Sequence, residues 1–128
     1  GEAFKLAPTA ESATFVGWAV NEMDDSWAAL GWCRKAIETD DRLGNPWNDI
    51  GAILLQMEQP AAAIPWFAVA TRSQRYDAPG HPWSNLARAH EALGNKMAAF
   101  DAARTALEHS PDDDNCLRII DDLGGSLL

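Results

Sequence analysis

An all-α fold of stacked helix-turn-helix units is what this sequence predicts, and three observations predict it. A set of positions recurs: Trp47, Ile50, Gly51, Leu54, Ala63, Phe67 and Ala70 are followed 36 residues later by Trp83, Leu86, Ala87, His90, Ala99, Ala103 and Ala106. Within each pass the apolar side chains return at three- and four-residue steps, the period of an amphipathic helix and not of a strand. Helix punctuation stands between the passes. Asn45 before Pro46 and Ser110 before Pro111 read as starts, His81 before Pro82 as a weaker one, and Gly44, Gly94 and Gly124-Gly125 as stops.

The elements follow in order. A step of 34 residues back from Trp47 reaches Ala13, and Val16, Gly17, Val20, Ala29, Cys33 and Ala36 then fill the equivalent positions. This first unit predicts helices at 10–22 and 25–39. The second predicts helices at 46–58 and 60–73, and the third at 82–93 and 96–109. Gly51, with Gly17 and Ala87 at the same position, leaves each first helix nearly bare where Ala63, Ala29 and Ala99 of the second helix face it, so the pair can approach closely. Pro60 fits a first helical turn, whereas Pro65 removes an internal hydrogen bond and should bend that helix or delay its start. The 36-residue step between the tryptophans places two extra positions in the loop around Arg75 to Gly80. A step of 34 beyond Trp83 reaches Leu117, then Ile120, opening a last helix at 112–123 with no partner. Leu117 and Ile120 are expected to cover the third unit, as a repeat array needs at its end.

These residues resemble the tetratricopeptide repeat, whose unit carries Trp, Leu-Gly, Tyr, Ala, Phe, Ala and Pro at the same offsets. The resemblance covers about residues 10–124. It is fullest in the second unit; in the first, Ala13 replaces the signature aromatic and Cys33 the Phe. It implies a right-handed superhelical array of three repeats, at about 10–43, 44–79 and 80–112, in one domain closed by a solvating C-terminal helix at about 112–123. Residues 1–9 and 125–128 read as tails, and the start at Gly1 reads as a fragment or a cloning scar.

The resemblance also implies a concave groove lined by first helices, where a peptide or extended protein segment binds. The groove positions are Phe15, Trp18, Asn21 and Glu22 in the first unit, Asn48, Asp49, Ala52 and Gln56 in the second, and Ser84, Asn85, Arg88 and Glu91 in the third, with Arg118 and Asp122 from the cap. Some members clamp a terminal carboxylate there with Lys, Asn and Arg side chains. Here Thr14, Trp18, Asp49 and Ser84 stand at four of those positions and only Arg88 matches. Phe15 and Trp18 instead offer an aromatic pair for an apolar anchor, unless Phe4 and Leu6 fold back over them. Trp32 and Trp66, 34 residues apart, are expected to stack on the convex face, as packing or as an interface that could form a homodimer.

Composition narrows the partners. A net charge of −9, from 19 acidic and 10 basic side chains, repels nucleic acid and anionic membrane, so a protein or peptide ligand is expected. No apolar run approaches the length of a membrane span and no signal peptide is visible, which points to the cytoplasm. Cys33 and Cys116 stand at core-like positions and read as reduced, buried thiols, with a disulfide as the alternative. His90-Glu91 lacks the second histidine of a zinc motif, since Gly94 stands there, and His90 reads as a packed, hydrogen-bonded side chain. Asp112, Asp113 and Asp114 suit the positive end of a helix better than a calcium loop. No cofactor, metal site or enzymatic constellation is expected. The function read from the sequence is a non-catalytic protein-interaction module. The alternatives are a small acidic chaperone of the secretion type and a docking domain of a larger enzyme.

Overall fold

The computed structural model describes residues 26–127, with side chains to 124. The expected helix at 10–22, and Phe15, Trp18, Asn21 and Glu22 with it, lie outside the described residues. Six helices follow: α1 (Ser26–Thr39), α2 (Asn45–Gln56), α3 (Pro60–Thr71), α4 (Gly80–Ala92), α5 (Lys96–His109) and α6 (Asp114–Leu127). Each packs on the next in chain order, and α4 additionally touches α2 and α6. No strand forms among the described residues. The fold class is the one expected, with α2–α3 and α4–α5 as helix pairs and α6 as the terminal helix.

The core is built on the small residues of the repeat. Ala63, Phe67, Ala87, Ala99, Ala103, Ala106, Cys116 and Ile119 are fully buried in one cluster joining α3 to α6. A second cluster joins Ala29 and Cys33 of α1 to Ile50 and Ile53 of α2. The bare surface of Gly51 is not left to Ala63 alone: the Phe67 ring lies over it, so close that a Cβ at residue 51 would stand 2.5 Å from Cε1. Both cysteines are buried and unpaired.

Several local expectations change for identifiable reasons. Gly44 does not end α1 in a left-handed turn; its φ is −76° and it caps the start of α2. Its lack of a side chain instead accommodates the Tyr76 ring and Ser73. Gly94 does take a positive φ, of 78°, and Glu58, its counterpart 36 residues earlier, takes 60° in the same turn of the second unit. Gly124 and Gly125 lie inside α6 and do not stop it. Pro65 neither delays nor ends α3, which begins at Pro60 and runs through it. Both Pro65 and Ala61 are exposed, so the carbonyl left without its i+4 donor is on the solvent side. Ser110 is not the cap of the last helix. Residues 110–113 form a turn, and the Asp113 carboxylate accepts the Cys116 N–H at 3.0 Å.

Arg75 of the lengthened loop forms a clasp. Gly44 N–H donates to the Arg75 carbonyl at 2.8 Å, Arg75 N–H donates to the Arg42 carbonyl at 3.1 Å, and the Arg75 guanidinium reaches Asp40 at 2.6 Å. Arg42 adds a second ion pair to Asp40 at 3.0 Å. Hydrogen bonds from Arg42 hold the Asp40 carboxyl below the usual carboxylate range. The clasp fastens the α3–α4 loop to the α1–α2 turn, so the lengthened repeat stays in register.

The cap covers the third unit with residues other than those expected. Cys116 and Ile119 are fully buried, Ile120 and Leu123 pack at the edge, and Leu117 is 46% exposed. In the second unit the equivalent position is Trp47, which packs on Trp66 of its own second helix; among the described residues no second helix packs on α6, and there the position faces out and the buried stripe rotates.

Two pairs of variants test this packing by urea denaturation. Gly51→Ala should lose about 1–3 kcal/mol by overpacking against Phe67. Gly31→Ala, on the open face of α1 with nothing within 4 Å of the new methyl, should gain about 0.5–1 kcal/mol. Ile119→Ala should lose about 2–5 kcal/mol and Leu117→Ala less than about 0.5 kcal/mol. Equal effects within either pair would contradict the contacts described.

Candidate functional site

The layering sets the curvature of the array. Among the described helices, the first helices α2, α4 and α6 touch across units, while the second helices α1, α3 and α5 do not touch one another. An array held close along one layer and splayed along the other curves toward the first. The α2, α4 and α6 layer is therefore the concave side, and it carries Asn48, Asp49, Ala52 and Gln56, then Ser84, Asn85, Arg88 and Glu91, then Arg118 and Asp122.

Most of these polar side chains tie one helix to the next. Asn85 Nδ2 donates to Asn48 Oδ1 at 3.0 Å across the α2–α4 seam, and Arg88 Nη1 donates to Asn85 Oδ1 at 3.4 Å. Asn48 is the buried member of this chain. Ser84 Oγ accepts the Cys116 thiol at 3.4 Å across the α4–α6 seam. Arg118 of α6 grips Glu91 of α4 with both terminal nitrogens, at 3.0 and 2.8 Å, and also bonds Asp122 and Asn115 Oδ1, each at 3.1 Å. These bonds from Arg118 hold the Glu91 carboxyl below its ordinary range. The pairs are solvent-exposed, so their contribution is to fix the spacing of the helices more than to stabilise the fold. Ala52 is half-buried against the core and Gln56 is exposed.

Asp49 differs from its neighbours. Its Oδ2 is shut off from solvent with no hydrogen-bond partner, while the residue as a whole is half-buried. Burial pushes its carboxyl up to about 7. The ionisable groups that feel its charge are the Cys33 thiol of α1, pushed up to about 12 chiefly by burial, and the Tyr76 phenol, also pushed up chiefly by burial. Neither is a cation. The other buried side-chain atom without a partner among the described residues is Asn115 Nδ2. Both atoms belong to helices of the concave layer.

The convex aromatics are engaged in packing. Trp66 meets Trp47, with ring centroids 5.4 Å apart and planes tilted by 35°, and Trp47 Nε1 donates to the Asp41 carbonyl at 3.1 Å. Trp32 is half-buried. His90 is half-buried with Nδ1 3.3 Å from Asn95 Nδ2. Among the described residues, no group of three or more His, Cys, Asp or Glu side chains is placed to share a metal ion, and no helix is long and apolar enough to cross a membrane. Sequence reasoning passed over Tyr76 and Asn115. The signal for Tyr76 was the lengthened loop that delivers it to Gly44; nothing singled out Asn115 from its run of acids.

No family profile matches the sequence, and no curated protein matches it. Solved structures do. The first tetratricopeptide-repeat domain of Spaghetti (RPAP3), bound to an HSP90 peptide, superposes with a TM-score of 0.84 at 14% identity, over 92% of each chain. The Arabidopsis OM64 repeat domain gives 0.83 at 16% identity, over 91% of this chain and 95% of that one. The second repeat domain of human RPAP3, in complex with an HSP70 peptide, gives 0.80 at 14% identity, over 90% and 94%. The chain has the tetratricopeptide-repeat fold.

The isolated carboxyl of Asp49 gives this fold a pH dependence of definite sign. A carboxyl raised on folding, from 3.8 to about 7, keeps in the native state a proton that the unfolded chain has already lost. Its contribution to stability is therefore most favourable below pH 3.8 and declines as pH rises to about 7. Asp49→Asn removes the titration. It should be more stable than wild type by about 1–4 kcal/mol at pH 8, and the gain should fall toward zero near pH 4. A difference between the two proteins that does not change with pH, in denaturation at pH 4, 5.5 and 8, would contradict this.

Proposed function

We propose that this chain is a non-catalytic protein-interaction module that holds a peptide or extended protein segment across the concave layer of α2, α4 and α6. One observation carries the reading. The described residues leave two buried side-chain atoms unpartnered, the acceptor Asp49 Oδ2 and the donor Asn115 Nδ2, and both belong to this layer, one on either side of α4. Buried polar atoms are nearly always paired in folded proteins, and a segment laid across the groove offers donors and acceptors that these two half-buried side chains can meet by turning their terminal groups outward. The peptides bound by two similar repeat domains support the same kind of occupant. Phe15 and Trp18, in the first unit, are proposed as the apolar anchor of the same surface.

The chemistry of the groove argues for a different peptide from those two, which end in Glu-Glu-Val-Asp. Of the positions that would clamp such a terminus, Arg88 alone carries a positive charge, while Asp49 carries the opposite one. With Arg118 engaged by Glu91 and Asp122, and a net charge of −9, a neutral or basic segment is the better fit.

The test is a selection of random displayed 12-residue peptides on the immobilised protein, followed by NMR titration of the labelled protein with the selected peptides. Amide shifts should concentrate on α2, α4 and α6, and Arg88→Glu should weaken or redirect binding while Glu108→Arg, on α5, leaves it unchanged. Shifts confined to α3 and α5 would contradict the groove.

A further inference from the structure

We propose that Asp49 is the anchor for a cationic side chain of the bound segment, a lysine or arginine. The proposal rests on the groove reading above and names the chemistry of one of its subsites.

Comparison of the two equivalent positions in the array isolates what is unusual. Asp49 of α2 and Asn85 of α4 stand 36 residues apart, in the same place of successive units. The amide at 85 is fully engaged, donating to Asn48 and accepting from Arg88. The carboxyl at 49 differs by one atom and is engaged by nothing, with Oδ2 buried and unpartnered. A carboxylate in that setting is costly, because burial removes its hydration and no donor replaces it. An amide would avoid the charge, so the acid is explained by nothing within the described fold. A charged group held at a cost on a binding face is a signature of function.

The surroundings define the missing partner. The charge of Asp49 is felt by a thiol on α1, Cys33, and by the phenol of Tyr76 on the α3–α4 loop. Two arginines of the flanking loops are turned elsewhere, Arg42 and Arg75 to Asp40. Arg118 serves Glu91 and Asp122 at the far seam. No lysine or arginine among the described residues bonds to Asp49, while the half-buried residue keeps partial solvent access. A turn of the half-buried carboxyl would bring Oδ2 to an incoming ammonium or guanidinium, which supplies both the hydrogen-bond donors it lacks and the opposite charge. In a partly desolvated site such a charge-assisted bond is strong, and removing one partner is expected to be costly.

Selection from a random displayed 12-residue library on wild type and on Asp49→Asn tests this. Wild type should enrich peptides with Lys or Arg at one fixed position, and Asp49→Asn, which should remain folded, should lose that preference while keeping preferences elsewhere in the peptide. Calorimetry on a synthetic selected peptide closes the cycle. Replacing its conserved arginine with citrulline, which keeps the shape and removes the charge, should weaken binding to wild type at least about tenfold and to Asp49→Asn less than about twofold. Selected peptides without a basic position, or a citrulline penalty equal on both proteins, would overturn the assignment of Asp49 while leaving the groove intact. A library that yields no binder to wild type would overturn the groove reading itself.

Discussion

The contact on which the array depends is the ring of Phe67 lying on the bare backbone of Gly51. Phe67 is fully buried, and its ring occupies the space a side chain at 51 would need. The same ring belongs to the cluster that contains Leu86, Ala87 and Ala103. One side chain therefore joins α2 and α3 within a unit and α4 of the next, and it does so only because residue 51 offers no Cβ. Neighbouring pairs must stack to bury such a residue, since a single pair leaves one side of the ring in water. Curvature follows from the same packing. The first helices approach across units, the second helices stay apart, and the polar side chains of the concave layer come into line.

That line is mostly devoted to spacing. The Asn48–Asn85–Arg88 chain and the Glu91–Arg118 pair cross the two seams on the concave face, and Ser84 holds the thiol of the cap. Among the described residues of this layer, the Asp49 carboxyl, the amide nitrogen of Asn115 and the exposed Gln56 remain unengaged. A binding surface whose framework is fixed by its own hydrogen bonds loses less freedom when a ligand arrives. The proposed groove would in this sense be preorganised at its seams.

Repetition made the fold legible in the sequence. Trp47 and Trp83, Phe67 and Ala103, and Gly51 and Ala87 recur at a constant interval, and the described helices fall where their three- and four-residue steps place them. The misreadings share a cause: a local rule was applied where tertiary contact decides. Gly44 was read as a stop, yet it serves the Tyr76 ring. Leu117 was aligned to a buried position, but among the described residues no second helix packs on α6 to bury it. The site was legible only as a set of positions. That Asn85 is engaged and Asp49 is not depends on side-chain geometry across the seams, which spacing does not encode.

A double-mutant cycle between residues 51 and 67 tests the central contact most directly. The loss of stability caused by Gly51→Ala should be largely relieved when Phe67 is shortened to Leu, giving a coupling of about 1 kcal/mol or more in urea denaturation. An alanine at 51 that costs the same with phenylalanine or leucine at 67 would mean that the ring does not rest on that backbone, and the account of the packing and of the groove built on it would fail.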